Sequence, residues 1–153
     1  MTNSRTSGAL KRLIIASIVY IVVSLIAGSI AVSRNLPAQP LGEGSGSGRP
    51  VLQEFLYGNG TGMSPGLPWL AMQAVLTLIA SRKFRWSIVG VIGLGLFGLL
   101  TGVFATTEPM FRKIFSPATF DPLLAVVEVG MVVIPFLMLI FAVLEVLRRR
   151  KPA

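Results

Sequence analysis

The chain has 153 residues, 53% of them hydrophobic and only 13% charged, with a mean hydropathy of +0.76 and a formal net charge of +8. A water-soluble domain carries about 25% charged residues, so too little polar surface exists here to cover a globule in water. Cysteine and histidine are both absent. Their absence excludes disulfides, thiol chemistry, cysteine- or histidine-ligated zinc, histidine-ligated haem and every histidine-dependent catalytic triad.

The first apolar segment covers residues 13–32 without a charge, between Lys11 and Arg12 on one side and Arg34 on the other. At 1.5 Å per residue it measures about 30 Å, the thickness of a bilayer core. A signal peptide cleaved after Ala31 is the rival reading. Signal h-regions of about 7–15 residues are shorter than this segment, which favours a span.

A long loop follows over residues 33–64. It contains the run Gly-Glu-Gly-Ser-Gly-Ser-Gly at 42–48, the composition of a flexible tether. Beyond it, Leu52, Phe55 and Leu56 recur at helical spacing and predict a short helix lying at the membrane surface. Asn59-Gly60-Thr61 matches a glycosylation acceptor, a weak three-residue pattern.

The second segment has a short apolar stretch at 67–80, extended to 65–81 with Ser64 as N-cap and Pro65 at the first helical position. Pro68 is tolerable in a first turn, where amides lack intrahelical partners. The third segment, 86–105, is uncharged and glycine-rich. A second loop places Thr107 as a cap and Pro109 in a first turn, with Met110, Phe111, Ile114 and Phe115 on one side. The fourth segment, 122–147, opens with Asp121 as N-cap and Pro122 behind it, and ends in Arg148, Arg149, Arg150 and Lys151.

Four crossings from a cytoplasmic N-terminus put ten basic residues inside: Arg5, Lys11, Arg12, Arg82, Lys83, Arg85, Arg148, Arg149, Arg150 and Lys151. Four fall outside, Arg34, Arg49, Arg112 and Lys113, beside Glu43, Glu54, Glu108 and Asp121. That asymmetry follows the positive-inside rule. A re-entrant second segment would strand Arg82, Lys83 and Arg85 on the wrong side. Trp69 and Trp86 fall at opposite interfaces, where indoles prefer to lie. The expected fold is all-α: one domain, an antiparallel four-helix transmembrane bundle in the plasma membrane, both termini cytoplasmic. Since the basic residues mark segment ends and form no face interleaved with aromatics, nucleic acid is not an expected partner. The lipid bilayer is.

Small residues mark packing seams. Gly98 and Gly102 form a GxxxG pair, Gly90 extends it two turns back, and Ser17, Ser24 and Gly28 make a comparable face on the first segment. Such seams suit contacts within one chain, with a membrane-protein partner or between copies.

Glu128 is the one acid well within a hydrophobic segment. Six residues past Pro122, it sits about 9 Å along its helix, a moderate depth for a costly group. Gln73 lies at a matching depth on segment two, so a Gln73–Glu128 hydrogen bond would relieve both. Thr77, one turn below Gln73, and Pro135, on a face similar to that of Glu128, complete a candidate polar cavity. Glu145 has Arg149 at i+4 for a helix-end ion pair.

Two functions fit. The first is a non-catalytic membrane subunit, scaffold or sensor that binds a protein or lipid. The second is a small proton- or cation-coupled transporter or channel using Glu128. Enzymatic activity is the least supported: the acids outside the membrane lack any recognisable pairing, and no cofactor or metal site is expected.

Overall fold

The structure, a computed structural model, describes residues 7–39, 48–82, 86–113, 116–117 and 120–150. Arg5, Lys83, Arg85, Ile114, Phe115, Lys151 and the tether over 42–47 lie outside them, as do the side chains of Met110 and Lys113.

The architecture is all-helical apart from one small ribbon. In chain order, α1 covers Gly8–Ser33, α2 Val51–Tyr57, β1 Gly60–Thr61, β2 Ser64–Pro65, α3 Leu67–Ser81, α4 Ser87–Thr107, α5 Pro109–Lys113 and α6 Pro122–Arg150. Among the described residues three helices, α1, α4 and α6, are long and apolar enough to cross a membrane. Inside these helices the backbone groups pair along the helix, as residence in hydrocarbon requires, except at Pro135 of α6, which has no N–H to give the Met131 carbonyl.

The helix ends follow local chemistry. Ser7 caps α1 by accepting from the Leu10 amide at 3.2 Å, so the helix starts five residues before the uncharged stretch. Asn35, in the left-handed region at φ 52°, ends the last turn. Asp121 caps α6 as expected, its Oδ1 accepting from the amides of Leu123 at 3.0 Å and Leu124 at 3.3 Å. α6 continues unbroken through Pro135. Thr107, expected to cap the second loop helix, is instead the last residue of α4, and Glu108 separates α4 from α5.

The start of α3 also differs from expectation. Ser64 and Pro65 pair antiparallel with Thr61 and Gly60, and the helix begins only at Leu67, with Gly66 as N-cap. The ribbon needs glycine at position 60, where φ is 125° and a Cβ would sit 2.2 Å from the Ser64 carbonyl oxygen. Fifteen residues make α3 about 22 Å long, short of a hydrocarbon core of about 30 Å. Ahead of it the chain packs closely: Thr61, Met63 and Ser64 are buried, Pro37 bridges to Thr61, and the Gly62 amide donates to the Leu36 carbonyl at 3.1 Å. α2 packs inward too, burying Val51, Glu54 and Phe55 while the expected contact residue Leu52 stays exposed.

Glycines set the helix spacing. A Cβ on Gly90 would stand 2.4 Å from the Ala80 amide nitrogen of α3, and one on Gly98 would stand 2.4 Å from the Pro135 carbonyl oxygen of α6. Gly102 faces the Phe136 ring, whereas Gly28 receives the Phe55 ring of α2. The interior combines apolar side chains such as Leu13, Leu94 and Met138 with polar ones, among them Ser17, Ser24, Gln73 and Thr77, while Ile18, Val75, Leu78, Leu96 and Val126 are exposed, as suits a surface that faces hydrocarbon.

Each end is tied. At the loop end, Arg34 pairs with Asp121 at 2.8 Å, joining the close of α1 to the start of α6. At the terminal end, buried Glu145 accepts from Ser7, from Arg148 and, at 2.7 Å, from Arg149. Arg149 also donates to Ser87 at 2.9 Å, so α1, α4 and α6 meet in one clasp.

Candidate functional site

The residues expected to form one polar cavity divide between two places. Gln73 and Thr77 belong to a closed hydrogen-bonded ring between α1 and α3. The Gln73 amide nitrogen donates to Ser17 Oγ at 2.9 Å and to the Ser17 carbonyl at 3.2 Å. Thr77 Oγ1 donates to the Gln73 carbonyl at 2.8 Å. Since Thr77 has one hydroxyl proton, Ser17 Oγ supplies the proton of the 2.7 Å Ser17–Thr77 bond. Donors and acceptors around such a ring polarise one another. Only Gln73 Oε1 lacks a partner.

The expected Gln73–Glu128 bond is therefore absent: the Gln73 amide is committed to Ser17, and Glu128 Oε1 has no hydrogen-bond partner. Helical depth, counted from each segment start, could not show that Ser17 stands nearer to Gln73 on a neighbouring helix. Ser17 and Ser24 were expected only as small packing residues. Ser17 closes the ring, and Ser24 donates to the Met131 sulfur at 3.6 Å.

Glu128, 2% exposed, instead lines a cavity of about 470 Å³ at the loop end. Its walls come from every long helix and from the ribbon. α1 contributes Tyr20, α3 Trp69, α4 Phe97, Leu100, Thr101 and Phe104, and α6 Glu128 and Met131. Met63, Ser64 and Pro65 close it from the ribbon side, and Glu108 lies at the end of α4. Tyr20 and Phe97 meet edge-on, with ring centroids 6.3 Å apart.

The two carboxyls facing this cavity differ in support. Glu108 accepts from the Gln39 amide through both oxygens, at 3.2 and 3.1 Å. Burial pushes its pKa above the ordinary value, and the Gln39 hydrogen bond opposes the shift without cancelling it. Outside the cavity, the Arg34 guanidinium holds the Asp121 carboxyl below its ordinary range.

Tyr20, Trp69, Phe97 and Thr101 did not stand out as site residues in the sequence. The available signal was Tyr20, the one aromatic residue of segment 13–32; nothing local marked Phe97 or Thr101. No family model, curated protein or solved structure matches the chain.

Proposed function

We propose that the chain is a four-span, non-catalytic component of the plasma membrane whose cavity at the loop end holds the apolar part of a lipid-like molecule. The cavity carries this reading: about 470 Å³ is the size of a small-molecule pocket, and its walls are mostly apolar with a few convergent polar groups. Leu100 and Phe104, both about half-exposed, give it an apolar margin toward surrounding hydrocarbon.

Four spans are supported by α3. It turns Gln73 and Thr77 inward and leaves Val75 and Leu78 exposed, as a lipid-facing helix must. The bias of basic residues supports cytoplasmic termini and an external cavity. In this topology α2 and α5 lie at the outer interface, with Tyr57 of α2 largely exposed at headgroup level. Because Gly90 and Gly98 are used within the chain, a further membrane-protein partner or second copy would meet the outward apolar faces.

A direct test adds monoolein, a neutral single-chain amphiphile, to the purified chain and counts adducts by native mass spectrometry. One monoolein per chain, lost in Thr101→Trp, is the expected result. No adduct, or equal retention by Thr101→Trp, contradicts the reading. A second reading, a proton- or cation-coupled transporter, is favoured by the unpartnered Glu128 Oε1 in the cavity wall. It requires a pH-driven flux in reconstituted vesicles that Glu128→Gln abolishes.

A further inference from the structure

We propose that the cavity is selective for a lipophilic cation without a phosphate group, its charge held against Glu128 and its apolar body enclosed by Tyr20, Trp69, Phe97 and Phe104. This inference rests on the cavity being a ligand site and names the ligand's chemical class. Both ionisable groups conventionally anionic in the wall, Glu128 and Glu108, carry the same sign, and no described lysine or arginine lines the cavity. Glu108 is already engaged by the Gln39 amide. Glu128 lines the cavity and its Oε1 is buried and unpartnered, so the wall holds one strong acceptor with nothing to satisfy it. A buried acceptor of this kind is costly until a donor or a cation arrives.

The aromatic walls point the same way. Four rings present π-faces or edges around one space, and aromatic faces attract cations most strongly where water is excluded. Indole is the best of these, and Trp69 supplies it. A phosphate-bearing headgroup would bring a negative charge beside two carboxyls with no described basic side chain in the wall to receive it. The ligand is therefore a hydrophobic amine or quaternary cation rather than a zwitterionic phospholipid.

Isothermal titration of the full chain in a nonionic detergent, with tetraphenylphosphonium as the probe, tests this. Its permanent charge separates cation binding from proton transfer, and tetraphenylborate is an anion of nearly the same shape. One phosphonium per chain and no borate binding are expected. Glu128→Gln should weaken the phosphonium by about thirtyfold or more, the scale for losing one partner of a buried charge pair.

Thr101→Trp, which retains both carboxyls and fills the cavity, should abolish binding, and this arm stands even if Glu128→Gln fails to fold. Equal binding of both ions, or undiminished affinity in folded Glu128→Gln, overturns the proposal. Displacement of the phosphonium by equimolar phosphocholine lipid also overturns it and makes the headgroup the source. Monoolein retention without phosphonium binding removes this inference and leaves the cavity reading standing; loss of both removes both.

Discussion

Replacing Gly98 by alanine places a methyl group 2.4 Å from the Pro135 carbonyl oxygen, about 1 Å inside ordinary contact at 3.4 Å. The obstacle is backbone, so no rotamer change relieves it, and α4 must retreat from α6. Overpacking of this kind costs about 1–3 kcal/mol, against about 1 kcal/mol that alanine gains over glycine in helix propensity. Gly130 provides the control: its nearest neighbours are the side-chain ends of Ile134 and Val23 at 3.9 Å, and no backbone blocks it. Both variants gain the same propensity, so their difference isolates the α4–α6 approach. Gly98→Ala should be less stable than Gly130→Ala by about 1–3 kcal/mol. Unfolding by sodium dodecyl sulfate in mixed micelles, followed by far-ultraviolet circular dichroism, measures it. Equal stability of the two variants would show that the α4–α6 contact is not set by this glycine.

Ser17→Ala opens the Ser17–Gln73–Thr77 ring and leaves the Gln73 amide the Ser17 carbonyl without the hydroxyl, with an expected cost of about 0.6–1.7 kcal/mol, the scale measured for hydrogen bonds between membrane helices. The same unfolding assay reads it, and no loss would mean that the ring is dispensable. The depressed Asp121 pKa stabilises the fold above the unfolded value near 3.9 and is lost as pH falls through the folded pKa, so Arg34→Ala should flatten stability against pH in that acidic window. Glu108 has the opposite sign: with its folded pKa raised above 4.5, the fold binds the extra proton, and stability should fall as pH rises from 4.5 through the folded value. Glu108→Gln should remove that decline in a series of thermal melts across pH.

The long helices were legible because hydrocarbon imposes a simple demand, a predominantly apolar run of about 20 residues, which residues 13–32 and 86–105 meet without a charge and residues 122–147 meet despite Glu128 and Glu145. Asp121 and Glu145 were legible too, since capping and i+4 pairing depend only on near neighbours. What escaped was set across the chain. Ser64 and Pro65 carry a sound helix-start pattern, yet pairing with Gly60 and Thr61 takes them into the ribbon. The turn itself is the two-residue loop Gly62-Met63 between Thr61 and Ser64, and its one local signal was Gly62. Gln73 and Glu128 share an approximate depth, but depth says nothing about which helix faces which. Ser17, on α1, takes the Gln73 amide, and Glu128 faces Tyr20, Trp69 and Phe97 from three other helices. Gly28 resembles a helix–helix seam in sequence, whereas its space belongs to Phe55, delivered by a loop that reads as a surface helix.

The most direct measurement exploits the absence of cysteine from the chain. Arg82→Cys, after α3, and Gln39→Cys, beside the cavity, each introduce one thiol for a membrane-impermeant maleimide. Labelling of Gln39→Cys in intact cells, with Arg82→Cys labelled only after the membrane is opened, is the outcome that α3 as a full span predicts. Labelling of Arg82→Cys from outside intact cells would place both ends of α3 on one face and contradict the four-span bundle.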